Sequence, residues 1–249
     1  MSDFPKLKNP PAVEAILDVK VIFPNGVELS ALAALHDVFK SAYPKKEEQR
    51  VVEFGFEQKA GTPPQSLTRD HGVIGYRFRS EDGKELVQCR KDGFTFNRLK
   101  PYTGWEDVSA KAAAAWEKYR SAFPEATITR VALRYINQIF VPIHGSECVL
   151  ADYFEVNLPG PKMQGLSHAG FMGQGLLHDS LTGLDANWIF AHQPNPDPSK
   201  WAVVLDIDVF AQGEKVADTG VPQLWELMRE LKNRLFFGSI TAKGQGLFQ

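Results

Sequence analysis

Charged side chains recur two residues apart at several places in this 249-residue chain. Glu14, Asp18 and Lys20 share a period-two register with Ile16, so a strand would put all four on one face. By the same count Glu53 pairs with Glu57, Arg77 with Arg79, Arg130 with Arg134, and Asp206 with Asp208. Arginine forks bind phosphate or carboxylate oxygens, and paired aspartates can hold Mg²⁺. Arg-x-Arg beside Asp-x-Asp on neighbouring strands is therefore the donor set of a metal-dependent triphosphate tunnel. The first strand carries only Asp18-x-Lys20, short of the Glu-x-Glu-x-Lys pattern that such enzymes use. The simpler reading is a sheet face whose charges neutralise one another across strands, at about 0.2–1 kcal/mol per pair.

The other chemistry-bearing residues are scattered. His36 falls on a predicted helix, while His71, His144, His168, His178 and His192 fall in loops or near strand ends. No His-x-x-x-His pair occurs, and only His168 with His178-Asp179 could meet across a hairpin as a metal or acid–base site. Gly170 to Gly175 is glycine-rich but lacks the dinucleotide-binding order and any βαβ setting, so its glycines suit bulges or close strand packing. Cys89 sits in a predicted strand and Cys148 near a predicted helix start, and both read as inert thiols. Neither a phosphate loop nor a Gly-x-Ser-x-Gly elbow is present.

The elements that must carry these residues follow from hydrophobic spacing. After a proline-bearing arm, Ala15, Leu17, Val19, Val21 and Phe23 alternate as a strand. Leu32, Leu35, Phe39 and Tyr43 then predict one helix, stopped by Pro44. Lys45 to Glu48 reads as a solvated loop, Val52 to Phe56 as a strand, and 61–65 as a loop. Residues 73–99 predict a meander, with Gly83 and Gly93 in its turns. Thr103 and Glu106 predict a capping box for a helix whose face carries Trp105, Val108, Ala112, Trp116, Tyr119 and Phe123. The second half reads the same way. A strand spans 128–141, a short helix 149–154, one poorly defined strand with loops 160–185, strands 188–190 and 201–210, and a final helix opened by Pro222. Leu224, Leu227, Met228, Leu231 and Leu235 form its apolar face beside Trp225. Element order thus predicts two α+β repeats, residues 1–126 and 127–249, joined in one curved antiparallel sheet with helices on one side. That architecture resembles the TATA-box-binding-protein-like and helix-grip folds.

Composition narrows the classes. The chain is 43% apolar and 23% charged with a net charge of -2, so it reads as globular rather than disordered and gives no generic pull on nucleic acid. Two cysteines cannot build a disulfide framework, and the N-terminus lacks an apolar leader. No apolar run reaches membrane-spanning length. A cytoplasmic protein with no membrane partner and no cofactor is expected, and its oligomeric state stays open.

Three segments carry a family resemblance: Asn9-Pro10-Pro11-Ala12-Val13-Glu14 through Asp18-Val19-Lys20, Leu133-Arg134-Tyr135-Ile136-Asn137, and Leu231-Lys232-Asn233-Arg234-Leu235-Phe236-Phe237-Gly238-Ser239-Ile240-Thr241. Together they resemble a sporadically distributed family of bacterial conserved hypothetical proteins with no established activity. The resemblance implies boundaries and no catalytic residues. The leading expectation is a non-enzymatic binding or interaction protein that docks a small ligand or a protein partner on a charged concave face. Its candidate residues are Asp18, Lys20, Arg77, Arg79, Arg130, Arg134, Asp206 and Asp208. A bacterial defence or toxin-neutralising setting fits a sporadic distribution. The alternative is a Mg²⁺-dependent enzyme on phosphorylated small molecules, using the same arginines and aspartates.

Overall fold

The computed structural model describes residues 4–57, 65–143, 149–156, 168–218 and 220–249. His144, Cys148 and part of the 160–185 stretch lie outside them, and nothing is said of the side chains of 54–57, 65–67, 217 and 218, which include Glu57.

Nine strands form one antiparallel sheet. They are β1 (Ala12–Ile22), β2 (Lys45–Glu57), β3 (Gln65–Arg79), β4 (Glu85–Arg90), β5 (Gly93–Leu99), β6 (Thr127–Pro142), β7 (Met172–Asp179), β8 (Leu184–Gln193) and β9 (Lys200–Gln212). Their spatial order is β2-β3-β4-β5-β1-β6-β9-β8-β7. The opening strands of the two halves, β1 and β6, therefore meet in the middle, with Asp18 facing Ala132 and Leu17 facing Leu133. Each half then runs outward from its last strand, β5 on one side and β9 on the other.

Six helices complete the chain: α1 (Leu29–Ala34), α2 (His36–Phe39), α3 (Trp105–Ala122), α4 (Glu214–Asp218), α5 (Val221–Gly238) and α6 (Ala242–Gly246). The helices pack on one side of the sheet. None among the described residues is long and apolar enough to cross a membrane. A single buried row shows why the helices sit there. Phe78, Val87, Phe96, Leu17, Leu133, Val209 and Ala186 lie opposite one another from β3 to β8, and all are buried. Trp116, Tyr119, Trp225 and Met228 close over this face, and Trp225 donates to the Ala132 carbonyl at 3.2 Å.

Several local expectations need correction. Lys45 to Glu48 opens β2 rather than a loop, because cross-strand pairing with β3 (Lys45 with Arg79, Glu47 with Arg77) supplies the order that its polarity conceals. The single helix expected over 32–43 is two short ones that meet at Leu35. Gly104, not Thr103, is the N-cap of α3. The Thr103 hydroxyl instead donates to Asp107 at 2.6 Å, which draws it away from the helix N–H groups. The helix expected over 149–154 is a 3₁₀ turn, Leu150–Asp152, and α4 and α6 are additions. The hairpin at 81–84 is as expected, with Gly83 at φ +71°.

Candidate functional site

The opposite face of the sheet carries the charges. Alternation in β1 sends Leu17 and Val19 to the core and Glu14, Asp18 and Lys20 the other way. Strand pairing extends that face outward. Arg77, Gln88, Thr95 and Asp18 are successive partners across β3, β4, β5 and β1, and Arg134 lies opposite Asp208 across β6 and β9.

Asp18 sits at the centre. Its Oδ1 accepts from Thr95 Oγ1 at 2.6 Å and from Arg90 Nη2 at 3.0 Å. Its Oδ2 lies 3.7 Å from Arg130 Nη1 and, among the described residues, accepts no hydrogen bond. Arg130 is stretched along β6. Its guanidinium lies 4.6 Å from the Phe210 ring centroid and donates to Asp208 Oδ2 at 2.8 Å. Ala132 makes this reach possible, because the small side chain between Asp18 and Phe210 leaves the space open. Arg90 donates from Nε to Asp92 at 2.9 Å, and Lys20 hydrogen-bonds the other Asp92 oxygen. The charges therefore run as one alternating ribbon from Lys20 through Asp92, Arg90, Asp18 and Arg130 to Asp208.

Arg134 forms a second unit with Asp206, through Nε–Oδ1 at 2.8 Å and Nη2–Oδ2 at 2.5 Å. Gln88, Asn97 and Glu14 form a third, at 2.7 Å for each bond. The side chains of Arg90 and Asp206 are only 10% and 9% exposed, whereas Arg134 is 42% exposed. Arg134 is thus more open to solvent and solutes than either arginine of the ribbon, Arg90 or Arg130. Its hydrogen bonds to Asp206 hold its pKa above the ordinary arginine value. Burial alone would raise the Asp92 carboxyl, but the Lys20 hydrogen bond and the Arg90 charge outweigh it and hold it below the usual carboxylate range.

The eight candidate residues share the face but do not converge. Arg130, Arg134, Asp206 and Asp208 lie on adjacent strands with Asp18 and Lys20 beside them. Arg77 and Arg79 lie on β3, four intervening strands from β9, a path of about 24 Å along the sheet at ordinary strand spacing. Arg79 turns to Glu47 at 3.5 Å, and the buried Nε of Arg77 has no hydrogen-bond partner among the described residues. The strand order ends at β2 and β7, which are not paired with each other.

The histidines also disperse. His178 pairs with Asp185 at 2.8 Å, while Asp179 is held by Thr182 and by Arg234 at 2.6 Å, so the two residues expected to meet His168 are each engaged with other partners. His71 pairs with Glu53 at 3.1 Å, and His36 contacts the Pro44 carbonyl at 3.0 Å. Cys89 is fully buried, and burial pushes its thiol pKa up. No group of three or more metal-ligating side chains occurs among the described residues.

Sequence reading missed three features. Arg90 belongs to the ribbon, and alternation with buried Cys89 could have placed it there. On the helical face, Glu85 and Arg98 form a buried pair at 2.8 Å, joined by Lys111 at 2.7 Å. Lys232 lies over the Tyr135 ring at 4.2 Å, beside the Tyr102–Tyr135 hydroxyl pair at 2.8 Å. Burial, with a smaller contribution from Arg229, draws the Lys232 amine down to about 7. No local pattern announces these last two, since each joins residues far apart in sequence. No family model matches this chain, and no curated protein matches it.

Proposed function

We propose that the protein is a non-enzymatic binding protein and that its charged sheet face is the working surface. The observation that carries this reading is the neutralised ribbon of Asp18, Arg90, Arg130 and Asp208, flanked by the more exposed Arg134 on its partner Asp206. A face of mixed charge suits a ligand with both signs, because arginine forks pair carboxylate or phosphate while aspartates take amines. A protein segment of mixed charge meets the same requirement. The two halves, 1–126 and 127–249, read as a duplication of the kind seen in the TATA-box-binding-protein-like architecture. The mirrored strand order supports this reading. A cytoplasmic bacterial setting, with membership of the sporadically distributed family, belongs to the same proposal, as does a defence or toxin-neutralising role.

The Mg²⁺-dependent reading on phosphorylated substrates fares less well on geometry. Asp206 and Asp208 are each already paired with an arginine, and Arg77 and Arg79 stand far from both. A thermal-shift panel of amino acids, dipeptides, nucleotides and inorganic triphosphate, each with and without Mg²⁺, separates the two. A zwitterionic ligand at one hundred times its Kd should add about 2.7 kcal/mol of stability without metal. Stabilisation by triphosphate alone, and only with Mg²⁺, would favour the enzyme.

A further inference from the structure

The two edges of the sheet are built differently. β2 opens with Lys45, Lys46, Glu47 and Glu48 and continues through Arg50, the charged composition that discourages another strand from adding. β7 reads Met-Gly-Gln-Gly-Leu-Leu-His-Asp and carries no acidic or basic residue, histidine aside, before Asp179. Met172 and Leu176 are 72% and 70% exposed, and Leu177 and Leu181 are exposed beside them.

The backbone direction at this edge is fixed. His192 N–H donates to the Phe171 carbonyl at 2.9 Å, so odd-numbered residues of β7 turn their amide groups toward β8. Met172, Gln174, Leu176 and His178 therefore turn theirs outward, where no described strand lies. An antiparallel strand can take up these four donors and four acceptors.

We propose that this strand is β7 of a second copy of the chain, related by a two-fold axis at Gly175. That register is the one in which all four outward residues pair. Met172 faces His178 of the second copy, and Gln174 faces its Leu176. On the other face Leu177 falls opposite Gly173 of the second copy, large against small, and Gly175 meets Gly175. No two charged side chains are brought together, which is the self-complementarity that a two-fold interface requires. Directly opposite residues share a face, so the dimer joins two nine-stranded sheets with their charged faces on the same side. This pairing is independent of what the charged face binds.

Sedimentation equilibrium of the full chain should give twice the 27.8 kDa chain mass. Gln174→Pro removes an outward N–H without touching the β8 ladder, as proline is tolerated at a sheet edge. It should return the mass to one chain while circular dichroism stays unchanged. Register is read by trapping. At a non-hydrogen-bonded antiparallel pair the Cα atoms lie about 4.5 Å apart, within disulfide range. A Cβ added at Gly175 meets only the Leu177 side chain, at an ordinary 3.7 Å. In a Cys148→Ser background, Gly175→Cys should cross-link under mild oxidation and Leu181→Cys should not. A single-chain mass for the wild type up to millimolar concentration would overturn the proposal, and so would a dimer that survives Gln174→Pro. Cross-linking of Leu181→Cys as readily as Gly175→Cys would overturn the register.

Discussion

Arg134 grips Asp206 with two parallel hydrogen bonds, although the residue directly opposite Arg134 is Asp208. The diagonal choice leaves Asp208 to Arg130, which reaches it across Phe210. Two arginines on β6 thus satisfy two aspartates on β9, and neither carboxylate is left alone. Because Asp206 is nearly buried, losing its partner should cost more than an exposed ion pair would. Arg134→Met should destabilise the fold by about 1.5–3 kcal/mol. Urea denaturation at neutral pH checks this, and a loss under 0.5 kcal/mol would mean that water replaces the guanidinium freely.

Asp18 joins the two halves of the sheet electrostatically. Removing its carboxylate leaves Arg90, only 10% exposed, with Asp92 as its one remaining carboxylate and with Arg130 no longer offset across the gap. Asp18→Ala should cost about 1.5–3 kcal/mol through the hydrogen bonds from Thr95 and Arg90 that it removes. The double variant with Arg90→Met should recover part of that loss, since the nearly buried guanidinium that has lost one of its two carboxylates is then gone. Additive losses in this cycle would show that the two residues do not act as a pair.

Trp116 and Trp225 test the packing of the helices. Both are buried, at 6% and 1% exposure. Truncation of either to alanine should cost about 3–5 kcal/mol in a thermal or denaturant melt. A value below about 1 kcal/mol would place that helix face away from the sheet.

Lys232 should make stability depend on pH. Its folded value, about 7, lies below the ordinary lysine value, so between those limits the unfolded chain binds the extra proton. Stability from this group is therefore gained as pH rises above 7 and lost as pH falls toward it. The wild type should gain on Lys232→Met between pH 6.5 and 8.5, and groups common to both proteins cancel in that difference. Chemical denaturation of both proteins across that range provides the check. A constant difference between them would show that Lys232 keeps an ordinary pKa.

Local sequence made the faces legible. Period-two alternation assigned Leu17, Val19, Tyr135 and Leu205 to one side and Asp18, Arg134, Asp206 and Asp208 to the other, as the structure has them. It could not show which strands are neighbours, because pairing is set between distant segments. Arg77 and Arg79 therefore looked equivalent to Arg130 and Arg134, until strand order separated them from the aspartates. Glu85 and Arg98 escaped notice because a charge pair on the helical face breaks the hydrophobic pattern twice at positions remote in sequence. Lys45 to Glu48 looked like a loop because a sheet edge needs no apolar side chains to pair its backbone.

The charged face as a binding surface is the central claim, and charge reversal at the Arg134–Asp206 pair tests it directly. Calorimetric titration with the strongest zwitterionic ligand of the panel should show binding to the wild type and none to Arg134→Glu. Arg134→Glu with Asp206→Arg should regain the stability that the single change loses, yet still fail to bind, because the donors and acceptors have exchanged strands. Unchanged affinity in a folded Arg134→Glu protein would contradict the account.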